Sequence, residues 1–258
     1  IKIEIESSEM LYQVFSPDLG MYVSPAYYNE LYEDNITINT FAKDGFDLNS
    51  YIEANYIFLG EDERNTLAMK SKLTYLVEQL NINMAQAVPK SSTTTNIVNL
   101  LVNIPTKEII WTLRRDDYLK YNDFMNYSAD IPGTNRGILD RAQLHFSKKS
   151  RFEEKPAEYF NMIQPYQYHS KIPSQGIYSY SFSLYPEKEL LSGYYNAGCV
   201  TTEMYLYVKS EYNNDIINTA LAKMGEAQYD FEYLVNTYCV CYNIFEIIGS
   251  QVGMKCNI

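Results

Sequence analysis

The sequence contains few of the side chains that perform most enzyme and metal chemistry. Its 258 residues include two His, four Cys and one Trp. A catalytic metal site usually needs His ligands close together with a third ligand nearby, and His145 and His169 are far apart in the chain. We therefore expect a structural role for each histidine.

The four cysteines are too few for a disulfide framework. Cys239 and Cys241 share one face of a predicted strand, without the two-residue spacer of a zinc-binding pair. We interpret them as buried apolar thiols, with Cys199 and Cys256 elsewhere. No glycine-rich phosphate loop, nucleophile elbow or paired-carboxylate motif is present. The sequence thus predicts no catalytic residue, no metal and no cofactor, and a protein that is not an enzyme.

Basic residues are also under-represented. Lys and Arg total 21 against 32 Asp and Glu, so the net charge is 21 − 32 = −11. Such a surface is repelled by phosphate backbones, which argues against direct binding of nucleic acid. Acidic residues follow the one dense basic patch, Lys148 to Arg151, so we interpret it as a solvated loop. No apolar run approaches the roughly 20 residues needed to span a bilayer.

The abundant features are tyrosine, with 26 residues, and an alternation of apolar and polar positions after residue 90. Alternation with period two predicts strands. The predicted strands are Ile97–Ile104, Glu108–Leu113, Ile138–Phe146, Gly176–Tyr185, Glu203–Lys209 and Tyr238–Ile248. Together with a strand near residues 73–80 they give seven or eight strands, the number in a jelly roll.

The first 80 residues are less regular. Alternation predicts strands at Ile1–Glu6 and Tyr51–Leu59, separated by a stretch rich in Tyr and Asn that resembles a loop. Acidic residues at 61–63 favour a helix start. Apolar residues at helical spacing then allow one helix to residue 80, whereas alternation from Leu73 allows a short helix followed by a strand. Periodicity alone leaves both possibilities open.

A series of segments, in order along the chain, resembles the double jelly-roll major capsid proteins of nucleocytoplasmic large DNA viruses. The segments are Ala54–Arg64, Tyr75–Gln79, Arg151-Phe152, Tyr159–Asn161, Gln164–Gln167, Pro173–Gly176, Tyr178–Leu184, Pro186, Ser192-Gly193, Asn196, Tyr242–Ile244, Ile247, Gly249 and Gly253. Two departures from the family pattern are Tyr194–Cys199, where an Asn-Phe-Ser-Arg-like turn is usual, and Gln251-Val252 within the C-terminal glycine cluster.

The resemblance implies an all-β fold, a jelly-roll β-sandwich or barrel that is the second of two. Residues 1–60 would hold the last strands of the first jelly roll, 61–72 a connecting helix and 73–258 the second jelly roll. It also favours the short helix, at about 61–70, followed by a strand at 73–80. Because alternation begins at Ile1, we expect this chain to be the C-terminal portion of a longer polypeptide.

The implied function is that of a major capsid protein, a virion subunit assembled in the host cytoplasm. Its partners would be copies of itself in homotrimeric capsomers of an icosahedral shell, neighbouring capsomers, minor capsid proteins and, in places, an inner viral membrane. We expect the loops at 22–32 and 114–136 to form contact or exterior surface, and the Gln164–His169 turn to fix the base of the barrel. The alternatives are a scaffold or minor capsid homologue and, in another class, a carbohydrate-binding β-sandwich.

Overall fold

Two antiparallel sheets form the body of the computed structural model, which describes residues 8–41, 51–89, 95–131, 133, 136–209, 215–225, 231–249 and 251–256. The strands are β1 (Val14–Ser16), β2 (Met21–Val23), β3 (Lys72–Val88), β4 (Asn96–Leu100), β5 (Pro105–Arg115), β6 (Leu139–Phe146), β7 (Lys149–Ser150), β8 (Lys155–Pro156), β9 (Ile177–Ser181), β10 (Tyr195–Asn196), β11 (Thr202–Val208), β12 (Tyr233–Ile248) and β13 (Gln251–Met254). The α-helices are α1 (Pro25–Tyr32), α2 (Ile38–Phe41), α3 (Glu61–Ala68), α4 (Tyr118–Tyr121), α5 (Gln164–Tyr168) and α6 (Asp215–Met224). Short 3₁₀ turns lie at Ser8–Leu11 and Ala197–Cys199, and a π-helical turn at Tyr159–Ile163 leads into α5.

The first sheet is organised around β12. One edge of β12 pairs with β3 along almost its whole length, and its other edge pairs with β5 and then with β13. Strands β9 and β10 both pair with the far edge of β5. The second sheet runs β4, β11, β6, with β7 and β8 paired to β6. Because β3, β5, β9, β10 and β12 belong to one sheet and β4, β6 and β11 to the other, the chain crosses repeatedly between them, as in a jelly roll.

The core fills the space between the two sheets. Strand β11 alternates buried and half-buried positions, and Met204, Leu206 and Val208 point inward as the sequence predicts. They belong to the same core as Trp111 of β5. The ring of Trp111 lies 5.1 Å from that of Phe160 and 5.8 Å from that of Tyr178. Aromatic rings at these separations add to the free energy gained from burial.

The edge of the first sheet at β9 is protected by the helical segment 159–168. The side-chain oxygen of Gln164 accepts a hydrogen bond from the backbone N–H of Ser181 at 3.2 Å. The amide of Asn161 donates to the carbonyl of Ile177 at 2.8 Å. Side chains thus satisfy backbone groups that an exposed edge would offer to another chain. The sequence predicts a turn at Gln164–His169, and this is wrong at Gln164–Tyr168, where α5 continues the preceding π-helical turn.

Most predicted strands are present, with shifted ends. The alternative of a short helix followed by a strand is correct, since α3 covers Glu61–Ala68 and β3 begins at Lys72. The strand predicted from Tyr238 begins at Tyr233, and the one predicted at Ile97–Ile104 ends at Leu100. Helix α6 was not predicted. No helix among the described residues is long and apolar enough to cross a membrane.

The strand predicted at Tyr51–Leu59 is absent from the structure. Residues 51–60 belong to no helix or strand, and their side chains are exposed. Apolar alternation stabilises a strand only when a neighbouring strand accepts its backbone hydrogen bonds, and none of the described strands pairs with this segment. The companion strand predicted at Ile1–Glu6 lies outside the described residues.

We expect the substitution Phe160→Ala to destabilise the barrel by about 3–5 kcal/mol, because it empties a site beside Trp111 that is 1% exposed. Denaturant unfolding measures the change. The matched control is Leu101→Ala at a side chain that is 79% exposed, which should cost no more than about 0.5 kcal/mol. A similarly small loss for Phe160→Ala would contradict this account of the core.

Candidate assembly surface

An irregularity in β5 brings two adjacent charged side chains to the outer face of the first sheet. The pairing register between β12 and β5 shifts between Val240 and Cys241, so Lys107 lies in a β-bulge next to Glu108. In a regular strand two consecutive side chains point to opposite faces, and a bulge redirects one of them. Here the side chains of Lys107 and Glu108 both reach their partners on the face of the sheet that points away from the core.

Lys107 is buried to 1% exposure, and three groups surround its ammonium. It forms an ion pair with Glu78 of β3 and donates to the backbone carbonyl of Lys188 at 3.3 Å. It also lies 5.5 Å from the ring centroid of Tyr242 in β12. A buried ammonium requires such partners, because an unpaired charge in the protein interior is strongly destabilising.

Glu108 is also buried, and its partner is His169 at the end of α5. The distance from Nε2 of His169 to Oε1 of Glu108 is 2.5 Å, and Nδ1 lies 3.5 Å from Oε1 of Glu187. The hydrogen bond to Glu108 raises the pKa of His169 above 6.5, and burial opposes this shift. Glu187 also accepts hydrogen bonds from the N–H and hydroxyl of Ser170, which hold its pKa below the ordinary value. The histidine thus joins the sheet to the segment that carries Glu187.

Beside this network, the outer face of the first sheet carries exposed aliphatic side chains. Leu76, Leu80 and Ile82 of the edge strand β3 are 51%, 53% and 62% exposed. They lie opposite Ile244, Val240 and Tyr238 of β12, which are only partly buried. We call the six residues the outer stripe. Glu78 and Tyr242 lie between the first pair, Leu76 and Ile244, and the other two pairs, so the stripe consists of two apolar patches on one face. Exposed apolar surface of this kind is typical of an interaction site.

At another part of the molecule, residues 8–41 fold onto connections of the barrel. Their side chains form a second core with α4 and α6, made of Leu19, Val23, Tyr27, Tyr121, Ala220 and Leu221. The rings of Tyr27 and Tyr121 meet edge to face at 5.7 Å. The backbone N–H of Ser24 donates to the carbonyl of Lys120 at 2.7 Å. We call residues 8–41, 116–131 and 215–225 together the cap.

The cap corrects the interpretation of residues 22–32 as a loop. Helix α1 begins at Pro25, and the hydroxyl of Ser24 accepts a hydrogen bond from the N–H of Tyr27 at 3.2 Å. A Ser followed by Pro is a recognised helix-start signal, so the sequence contained the necessary information. The segment 114–136 likewise includes the last residues of β5 and the short helix α4. The two segments pack on one another, which leaves only their outward side chains for contact with other molecules.

A buried ion pair fixes the connection from β5 into the cap. Arg115 donates to both carboxylate oxygens of Asp117, at 2.9 and 2.6 Å, and to the carbonyl of Ala129 at 3.2 Å. Its guanidinium also lies 3.6 Å from the ring centroid of Phe231. Two parallel hydrogen bonds fix both the distance and the orientation of the pair. The path of the chain from the sheet to α4 is therefore defined by side chains as well as by backbone.

The histidines and cysteines singled out from the sequence lie at separate places. His145 stacks on Tyr205 at 4.0 Å and hydrogen-bonds Gln143 at 2.8 Å, whereas His169 belongs to the network described above. Cys239 and Cys241 are fully buried in β12, as expected, while Cys199 is exposed and Cys256 is partly buried. Within the described part of the chain, no group of three or more His, Cys, Asp or Glu side chains could hold a metal ion.

Comparison with known proteins gives consistent matches to viral capsid proteins. A family model described as the large eukaryotic DNA virus major capsid protein matches residues 63–253. The major capsid protein of Paramecium bursaria Chlorella virus 1 is 30% identical over 229 residues, which cover 78% of this chain and 52% of that protein. The major capsid protein of Phaeocystis pouchetii virus is 25% identical over 284 residues, with 78% and 51% covered. The chain therefore spans about half the length of these relatives.

Solved structures confirm the jelly-roll fold. The crystal structure of PBCV-1 VP54, fitted into a cryo-EM reconstruction of the virophage Sputnik, matches with a TM-score of 0.61 and 22% identity. The match covers 79% of this chain and 56% of that chain. A quasi-atomic model of the PBCV-1 virus capsid gives a TM-score of 0.60 with 21% identity and the same coverage.

Thiol chemistry provides a test of the burial of β12. Burial raises the pKa of Cys239 to about 12, so at pH 8 only about one molecule in ten thousand carries the reactive thiolate there. We expect an aromatic disulfide reagent to modify Cys199 rapidly and to modify Cys239 and Cys241 only after denaturant is added. Mass spectrometry of labelled peptides distinguishes the sites, and rapid native labelling of Cys239 would contradict this arrangement.

Proposed function

Because the chain belongs to the family of major capsid proteins of large eukaryotic DNA viruses, we propose that it is a structural subunit of a virion shell. The match over residues 63–253 is the single observation that carries this proposal. In this role the protein acts by geometry and contact, not by catalysis. The net charge of −11 supports assembly through protein surfaces, because such a chain is repelled by nucleic acid.

The assembly unit in this proposal is a homotrimer that tiles an icosahedral shell as a pseudo-hexagonal capsomer. A jelly roll suits such a lattice, because its sheets pack into a rigid unit and its loops are free to form contacts. Threefold symmetry closes one set of contacts, while lateral contacts between capsomers extend the shell. Minor capsid proteins and an inner membrane are further proposed partners, and assembly is proposed to take place in the host cytoplasm.

The proposed domain arrangement gives residues 1–60 to the end of a first jelly roll, 61–72 to a connecting helix and 73–258 to the second jelly roll. The exposed side chains of Tyr56, Ile57 and Phe58 support it, since apolar residues of this size are usually covered. In the proposed arrangement, strands of the first barrel pair with residues 51–59. Helix α3, which has no buried residue in this structure, then spans the two barrels.

Within the proposed capsomer, the outer stripe contacts another barrel. Its residues Leu76, Leu80 and Ile82 are about half exposed, whereas most of the large side chains on the inner face of the same sheet are buried. Interface centres between subunits of stable oligomers are apolar in this way, with charged residues at the rim. Lys72, the first residue of β3, forms a 2.9 Å ion pair with Glu246, and the two are suitably placed for such a rim.

Light scattering on the full-length natural protein tests the oligomeric state. We expect a mass of three subunits at micromolar concentration, because a shell subunit should form its capsomer before the lattice grows. The protein should also dominate the protein mass of purified particles. A stable monomer at micromolar concentration would contradict the proposed trimer and favour a scaffold or minor capsid role.

The contribution of the outer stripe has its own test. The double substitution Leu80→Glu and Ile82→Glu should convert the trimer largely to monomer, because it places charges where apolar contact is proposed. Leu101→Glu, at a leucine beyond β4 that is 79% exposed, is the control and should leave the trimer intact. Circular dichroism verifies that each variant is folded. A folded double variant that remains trimeric would exclude the stripe as a subunit contact.

A further inference from the structure

Residues 183–193 form a closed loop whose two ends meet. The hydroxyls of Ser183 and Ser192 lie 2.6 Å apart, and the hydroxyl of Ser192 accepts from the N–H of Tyr185 at 3.0 Å. Gly193 has a φ of 152°, and a Cβ there would lie 2.4 Å from the carbonyl oxygen of Phe182, so only glycine fits. A compact loop with adjoining ends is an Ω-loop, a type that frequently has a function.

The Ω-loop is attached to the outer face of the first sheet mainly by polar contacts. The backbone carbonyl of Lys188 accepts from Lys107, and that of Leu190 accepts from the hydroxyl of Tyr242 at 3.3 Å. Glu187 contacts His169 and accepts hydrogen bonds from the N–H and hydroxyl of Ser170. Between residues 184 and 191 only Pro186 is buried. With so little apolar burial, the position of the loop depends on these polar contacts.

The protonation state of His169 determines how many of these contacts are available. A protonated imidazole donates from both ring nitrogens, so His169 can serve Glu108 and Glu187 together. A neutral imidazole retains one N–H. That N–H stays on Nε2 and donates to Glu108, because a buried carboxylate without a donor costs much more free energy than an exposed one. Glu187, on the exposed side, therefore loses its contact with the ring and keeps only its hydrogen bonds from Ser170, so the attachment of the loop is weakened.

From this geometry we propose that His169 is a proton-operated latch, which holds the Ω-loop on the sheet when protonated and loosens it when neutral. The charged groups that face the ring are Glu108 from β5 and Glu187 from the loop itself. Lys107, next to Glu108 on the bulge, is paired with Glu78 of β3. The loop carries the exposed side chains of Leu184, Tyr185, Leu190 and Leu191, so loosening it would change where this apolar surface is presented.

The direction in which pH changes the attachment of the loop follows from the raised pKa of His169. The pKa of His169 is raised in the folded protein, so its contribution to the latch is complete below 6.5, the ordinary pKa. That contribution is lost as pH rises through the raised value. The loop is thus held most firmly in mildly acidic solution and least firmly in alkaline solution.

Hydrogen exchange of the loop amides, followed by mass spectrometry between about pH 5.5 and 9 and corrected for intrinsic rates, tests the latch. Protection of the peptide covering residues 184–191 should fall about two- to fivefold as pH rises, the size expected for an exposed ion pair. The peptide covering β9 is the internal control and should show no such change. Protection of the loop that stays constant across this pH range would overturn the proposal.

Two variants identify the residues responsible. Glu187→Gln changes an exposed side chain and leaves Glu108 paired, so the fold should be intact and the loop should exchange at the fast rate at every pH. His169→Gln should likewise remove the pH dependence. The control is Glu189→Gln, at another exposed residue of the loop, and it should show the same pH-dependent exchange as the unmodified protein. If Glu187→Gln retained the pH dependence of the unmodified protein, His169 would not act through Glu187 and the latch would be excluded.

Discussion

The structure depends first on the pairing of β12, the central strand of the first sheet. Its two edges connect to β3, β5 and β13, and its inward side chains at alternate positions from Tyr233 to Cys241 are buried. Since side chains alternate with period two, a slip of one residue would turn these side chains outward and turn Tyr238 and Val240 into the core. The register of this strand therefore sets which side chains form the core and which form the outer stripe.

The bulge opposite Val240 and Cys241 gives the same sheet a second property. It supplies Lys107 and Glu108 to one face, and each reaches a partner on a different element. Because both charges are buried, each partner is held where it compensates the charge. A strand irregularity thereby fixes the end of α5 and the Ω-loop above the sheet. The polar network leaves the neighbouring outer stripe uncovered, in keeping with a surface that is proposed to meet another barrel.

The cap shows that residues 8–41 are structurally connected to the second barrel, although the proposed domain arrangement places them with the first. The rings of Tyr27 and Tyr121 meet in its core, and the backbone N–H of Ser24 donates a hydrogen bond to the carbonyl of Lys120. Such a contact restricts the motion of one part of the chain against the other, beyond what the connecting segment at 51–60 imposes.

The sequence alone determined the class of fold, most strands and the absence of a recognisable catalytic motif, because alternation and residue type are local properties. Met204, Leu206 and Val208 point inward in the structure for the same reason that they alternate in the sequence. Helix α1 could also have been predicted from the sequence, because Ser24 followed by Pro25 is a helix-start signal. The sequence could not determine whether residues 51–59 form a strand, since that depends on a partner strand and not on their own alternation. Nor could it reveal the bulge at Lys107, the pairing of Glu108 with His169 or the second core at Tyr121. These contacts join residues far apart in the chain, and only the packing of the two sheets decided which of them meet.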